Sequence, residues 1–579
     1  MTKALGLGWV LVFAGIAVIV WIQNSQITPT YENYHYAYNN ELNDYTGITK
    51  PDKIQKIKEK VFGMIVSHHF YVERDISNSF AKISDQDIKT IVIVGPEHFG
   101  TSKFDVSVTK NPYHTPFGVV EPDLDVINSL LEGGVFLEPR PFADEHSIST
   151  LVGMVEYYFP DAKIVPIIIS RKIGMDGLED LSDKLNSILP ENSLVIASVD
   201  FSHHQNRITA NYHDSKSISV LESFDFTGIE KLEVDSPQSL FVLEKYLEKR
   251  GAQRMSYTRT DQAEVSGNLA SEDVTSYLFA HFTKGEPEVS TAASVMSFGD
   301  MMLGREVGAK ISEGLDPFEK IKGVEGNFLR GVDMFTANLE GVITSVGNCA
   351  PKPVVLKFEP LVTKLMKKNK IGSVSLANNH SYDCGEVGLE DTKKLLKESG
   401  VRYFTDTEPV IVKAGNKKLA QIGFSLLGAS EYDLKMMEDK ISTLKRENDY
   451  VIVYTHWGLE YNSQPSSEQK EIAYKIIDAG ADAIIGSHPH VVQPLEIYSN
   501  KPIFYSLGNF IFDQPLPETN IGLGVGLVFK EQVIEAYLFP YQINNFQPTL
   551  MGYDESIEKC KSITGKPESG DSCIIKIKQ

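Results

Sequence analysis

Histidines and carboxylates collect at the ends of apolar runs in this sequence. In the second half, ASVMSF runs into Asp300 (GDMMLGR), DMFTAN into Asn338 and Glu340 (NLEG), and IGSVSLA into Asn378, Asn379 and His380 (NNH). YVIVYT ends in His456, with Glu460 following in HWGLE, and ADAIIGS ends in His488 and His490 of HPH. In the first half, FGMIVSHHF ends in His68 and His69, IVIVGPEHFG in Glu97 and His98, and VIASVDFSHH in Asp200, His203 and His204. ADEHSIS adds Asp144, Glu145 and His146. Ten of the 14 histidines lie in these motifs. Alone, each is bland: an Asp after a strand usually caps a helix, and NNH makes a turn. Together, oxygen and imidazole donors at successive strand ends form the ligand set of one or two divalent metals.

The elements that must position these groups are continuous and β-branched, as buried parallel strands are. Parallel strands share one carboxyl edge, where α/β proteins build their sites. IKTIVIVG, AKIVPIIIS and SLVIASV belong to one α/β block over residues 55–283, which EDVTSYLFAHF (272–282) closes as a helix. Residues 284–292 read as a linker, and a second block follows over 293–545. Within it LEDTKKLLKESG reads as a helix with a glycine stop, while KPIFYSLGNFIF and GVGLVFKEQVIEAYLFPYQI read as antiparallel hairpins. The tyrosine-rich polar stretch within 29–54 suits a linker, and 546–579 a carboxy-terminal extension.

The ordered series GDMMLGR, NLEG, ANNHSYDCG, HWGLEY, GADAIIGSHPHVVQPLE and YSLGNFIFD resembles the CapA family of poly-γ-glutamate capsule synthesis, which is related to calcineurin-like metallophosphoesterases. The resemblance implies an α/β sandwich with a dinuclear metal centre at the sheet edge. Carried over position by position, it implies Asp300, Glu340, Asn379, His456, His488 and His490 as metal ligands. His380 takes the place of the histidine that stabilises the transition state or protonates a leaving group. One departure stands out: phosphoesterases open with D-x-H, whereas Met301 follows Asp300 here.

The earlier series SHHFY, GPEHFG, HTPFG, DEHSI and SVDFSHH resembles the Memo family (AmmeMemoRadiSam system protein B), itself similar to class III extradiol dioxygenases. It implies His68 and His98 as metal ligands, with His146, Asp200 and His203 beside them in catalytic positions. In the dioxygenases a carboxylate completes a two-histidine Fe(II) site. The corresponding late segment AEVSGNLASED lacks the cysteine of some relatives and offers Glu264 or Asn268 instead. The alternative is a degenerate fold kept as a scaffold.

A formal net charge of -21 repels phosphate backbones, so nucleic acid is not an expected partner. Residues 4–22 carry no charge and at helical rise span about 28 Å. They read as an uncleaved anchor, giving a single-pass membrane protein with its bulk outside the cytoplasm. Cys560 and Cys573 bracket a polar tail and suit a small disulfide loop; Cys349 and Cys384 are a candidate second pair, the alternative being four free thiols. The expected architecture is thus α/β: a transmembrane helix, a Memo/dioxygenase-like domain and a calcineurin-like metallophosphoesterase sandwich. Its expected function is metal-dependent (Mn, Fe or Zn) hydrolysis or transfer on an anionic envelope polymer or a phosphoester. Alternatives are a non-catalytic holder of an anionic polymer for export, and redox or dioxygenase-like chemistry in the first domain.

Overall fold

A computed structural model describes residues 33–288, 291–345, 349, 352–565 and 572–579. In the first domain, Val61–Val66 and Thr90–Pro96 each lie parallel to Ser193–Ser198, and Lys163–Ile169 extends the sheet beyond Thr90–Pro96. All four strands are almost wholly buried. Helices cover both faces, which is why these strands carry Val and Ile on successive positions rather than in alternation. One apolar cluster (Val92, Ile167, Leu243) fills one face, and another (Ile91, Met64, Phe80) the other. Arg254–Asp261 and Ser276–Thr283 complete an eight-stranded sheet on one side, the short strands Val106–Val108 and Phe136–Leu137 on the other.

The second domain is a sandwich of two sheets. Ala293–Met301, Met334–Leu339 and Ser373–Ser375 run parallel in a nine-stranded sheet, continued by the antiparallel hairpin of Ile521–Lys530 and Val533–Asn544. Lys417–Ser425, Tyr450–His456 and Ala483–Ser487 run parallel in a six-stranded sheet. Val295, Val525, Leu419 and Ile485 interdigitate in the core between them. The helices Glu431–Glu447 and Ser467–Asp478 cover the outer face of the six-stranded sheet.

Several expectations need correction. The proposed anchor, residues 4–22, lies outside the described residues. Among the described residues no helix is long and apolar enough to cross a membrane. The longest of them, Glu431–Glu447, has 17 residues and is dense with Glu, Asp and Lys. The architecture is therefore a mixed α/β chain of a Memo-like and a metallophosphatase-like domain, and the single-pass membrane assignment is withdrawn. Residues 272–282 do not close the first domain as a helix: Ser276–Thr283 is a strand paired on both sides. A continuous apolar run fits either element, and here the vacant place beside Val61–Val66 decides it. The stretch read as an amino-terminal linker packs on the first domain, with Ala37 and Tyr45 buried. Within the carboxy-terminal extension, Gln547–Leu550 and Ile574–Lys578 both pair with Val533–Asn544. Both candidate cysteine pairs, Cys349–Cys384 and Cys560–Cys573, are disulfides.

The two domains share a core. The helix Arg207–Glu222 is buried along most of its length, so it has no clean polar face. Tyr212 packs edge-on against Tyr537 and Phe539 of the second domain, with ring centroids 5.3 and 5.8 Å apart. Lys216 Nζ donates to Asp333 Oδ1 at 2.8 Å and to the Gly331 carbonyl at 2.5 Å.

Candidate metal centres

In the sandwich, four parallel strand ends come together, two from each sheet. Asp300 and Asn338 are cross-strand partners, and Ser487 pairs with His456. Gly299 permits the close approach: a Cβ there would lie 1.8 Å from the Gly508 carbonyl oxygen. The Asp300 amide donates to that same oxygen at 3.0 Å. His488 and His490 both sit in the left-handed region, at φ 93° and 59°, on either side of Pro489. Such backbone costs on the order of 1–3 kcal/mol per residue and persists where the surroundings impose it. The turn lets the His488 amide donate to Asp300 Oδ2 at 3.1 Å and brings His490 Nδ1 within 3.1 Å of the same oxygen.

Two donor groups result, each with its atoms within 4.8 Å of one another: Asp300, Glu340 and His456, all buried, and Glu460, His488 and His490. The predicted ligand Asn379 accepts a hydrogen bond through Oδ1 from His456 Nε2 at 2.8 Å. His380 lies at the rim, its Nε2 3.9 Å from Glu340 Oε1 and its Nδ1 2.7 Å from Asp383 Oδ2. Asp383 is buried and is also held by Lys352 Nζ (2.9 Å) and the Leu356 amide (2.7 Å).

The electrostatics are those of a crowded anionic pocket. Burial would raise Asp300, but the hydrogen bond and charge of His490, then His456 and Asn338, hold it below the carboxylate range. Glu340 is pushed well above its ordinary value by burial and by the charge of Asp300. Burial opposes protonation of His490, yet Glu340 and Asp300 outweigh it and lift the ring to about 9. His456 and His488 are lowered, mainly by burial. Glu340 Oε2 and His488 Nδ1 are buried with no hydrogen-bond partner. Orphaned O and N donors beside mutually repelling carboxylates fit a divalent cation.

The first domain builds a second cluster at its own strand edge. His68 follows Val61–Val66, His98 follows Thr90–Pro96 and Asp200 follows Ser193–Ser198. The rings of His68, His98 and His146 lie 4.4 to 5.2 Å apart. The carboxylate between them is Asp235, whose Oδ2 is 3.1 Å from His68 Nε2 and 3.8 Å from His98 Nε2. Asp200 Oδ2 is 3.6 Å from His68 Nε2. The buried Glu145 orients His98, its Oε1 2.8 Å from the ring Nδ1 and its Oε2 accepting the His98 amide at 2.8 Å. His98 is lifted to about 9: burial opposes this, but Asp235 and Glu145 prevail. His146 is lowered to about 4 by burial, then by the charges of His68 and His98.

Asp235 displaces both carried-over candidates. The Glu264 carboxylate pairs with Arg207, and Asn268 is exposed on a loop. Asp235 precedes the Ser236 cap of the helix Pro237–Arg250, so a search of strand ends passes over it. Its buried carboxylate beside two imidazoles suits a two-histidine, one-carboxylate cation site. His203 stays outside this group; its carbonyl accepts from Asn327 of the second domain at 3.0 Å. Asp383 and Asn509, whose Oδ1 lies 2.9 Å from His490 Nδ1, also fall outside the set the strand ends point to. The signals for them were the SYDCG and LGNF motifs.

The comparisons match this division. The family described as "Bacterial capsule synthesis protein PGA_cap" matches residues 294–514, and "Memo-like protein" matches residues 28–254. PGA biosynthesis protein CapA of Bacillus subtilis is 33% identical over 266 residues, covering 41% of this chain and 70% of that protein. Capsule biosynthesis protein CapA of Bacillus anthracis is 33% identical over 245 residues, covering 37% of this chain and 59% of that protein. A MEMO1 family protein of Nitrosopumilus maritimus is 26% identical over 173 residues, covering 29% of this chain and 62% of that protein.

Proposed function

Because the chain belongs to the CapA family of capsule synthesis, joined to a Memo-like domain, we propose that its sandwich domain is a metal-dependent hydrolase or transferase acting on an anionic envelope polymer or a phosphoester. The observation that carries this reading is the buried Asp300, Glu340 and His456 group beside Glu460, His488 and His490. These residues, with Asn379, would hold one or two divalent cations. The mixed oxygen and imidazole donors suit Mn²⁺, Fe²⁺ or Zn²⁺. When bound, such cations supply Lewis acidity and a water of lowered pKa.

The chain's own groups do the rest. Asn338 donates to Asp300 Oδ1 at 2.8 Å and fixes that carboxylate. Asn509 and Ser487 orient His490 and His456 through their ring Nδ1 atoms. His380, only partly buried, presents Nε2 to the pocket and carries a proton to or from a leaving group there.

Elemental analysis of the purified chain tests the centre: bound metal should fall in His488→Ala/His490→Ala, and full occupancy in that variant would sink the assignment. A phosphoester panel with added Mn²⁺ tests the reaction. Turnover lost in His380→Ala supports an enzyme, whereas metal binding without turnover on any substrate favours a polymer holder.

A further inference from the structure

The junction of the domains forms a cleft of about 440 Å³, within the range of small-molecule sites. Four cations line it: Arg171 and Lys231 from the first domain, Arg330 and Lys370 from the second. Arg171, Lys231 and Lys370 are exposed and form no ion pair among the described residues. Arg330 meets the edge of Glu233 at 3.9 Å and donates to the Glu325 carbonyl at 3.4 Å. On a chain of net charge -21, four cations gathered on one concavity repel one another and focus a positive potential there.

The walls are fixed before any ligand arrives. Lys216 ties the Gly331 carbonyl and Asp333 to the first domain. Gly331, at φ 80°, lies against the Lys231 backbone, where a Cβ would meet the Lys231 carbonyl oxygen at 3.1 Å. Of the two acids on the lining, Glu230 is exposed at the rim, and Asp235 turns its carboxylate onto His68 and His98. The charge of Asp235 is therefore balanced from behind and does not oppose an anion in front.

We propose that this interdomain cleft binds an anion carrying two or more carboxylate or phosphate groups, held between the cations of the two domains. Through Asp235 the bound anion would share a wall with the His68 and His98 cluster, and because its cations come from both domains the site exists only where both are present. It is separate from the sandwich metal centre.

Calorimetric titration of the full chain at low ionic strength, with tetra-γ-glutamate and separately with pyrophosphate, tests it. Binding of either probe is expected, weakening as salt rises, and the probe that binds identifies the source of the anion. Lys231→Ala/Lys370→Ala should weaken binding by about tenfold or more at an unchanged melting temperature, and Lys231→Arg/Lys370→Arg should retain it. His488→Ala/His490→Ala should leave the affinity as it was. No binding of either probe, equal affinity in the double alanine variant, or loss in the metal-centre variant would overturn the proposal.

Discussion

Asp383 shows how much of the sandwich centre depends on a residue that touches neither cluster. Its carboxylate sits 2.7 Å from His380 Nδ1, and the lowered pKa follows because burial is outweighed by His380, the Leu356 amide and Lys352. It thereby fixes which nitrogen of His380 faces Glu340. Asp383→Asn keeps the size and loses the charge, so turnover of a phosphoester should fall about 10- to 100-fold, with metal content and KM unchanged. Partial recovery in Asp383→Glu would separate positioning from general damage. Glu244 is a different case, with both oxygens buried and unpartnered in the first domain. Burial, then repulsion from Asp225 and Glu248, raises it well above the carboxylate range. A group raised in the folded state stabilises fully below its unfolded value of about 4.3 and loses that contribution as pH rises. Glu244→Gln should therefore add on the order of 1–3 kcal/mol at pH 7 and little at pH 4, read as urea midpoints at the two pH values.

At the scale of elements, the Cys349–Cys384 disulfide joins positions 35 residues apart. Cys384 is next to Asp383 in sequence, and Lys352 lies three residues beyond Cys349. The bond therefore holds the segment that supplies Lys352 and the Leu356 amide against the helix Gly385–Ser399. Cys349→Ser/Cys384→Ser should lower stability by about 3–4 kcal/mol on loop entropy and reduce turnover through Asp383, while leaving bound metal unchanged. Elements of this kind were unevenly legible in the sequence. Strands such as Tyr450–His456 and Ala483–Ser487 declare themselves because burial on both faces demands unbroken Val and Ile, and Gly400 stops its helix at φ 80° as its position suggests. Ser276–Thr283 does not, since a short, mostly apolar run is equally a helix until its neighbours are known. Asp300, Glu340, Asn379, His456, His488 and His490 could be gathered because each follows a strand in chain order. Asp235 could not, because the loop that carries it reads as an ordinary helix start.

For the whole molecule, the join between domains is a packed interior rather than a tether. The helix Arg207–Glu222 belongs to the first domain in sequence, yet Ile208 and Tyr212 are part of the sandwich core. Ser215 bonds Glu535, and Glu272 takes the amide of Tyr553, so contacts reach from both edges of the interface. Lys216 is the charged centre of this join. Its side chain is 5% exposed and that of its partner Asp333 8%, and Asp333 Oδ2 also accepts from the amide and hydroxyl of Ser294 on the first strand of the sandwich. One carboxylate thus ties the interdomain helix to the strand that carries Asp300. Deleting one member of a buried ion pair leaves the other charge without compensation, at a cost of about 3–5 kcal/mol. Asp333→Ala should therefore destabilise the protein by that amount. The loss falls on the interface, so calorimetry should resolve two melting transitions in the variant where the parent shows one. Lys216→Met/Asp333→Leu removes both charges and keeps the volume, and should recover the single transition. A parent that already melts in two steps would show that the shared core does not couple the domains.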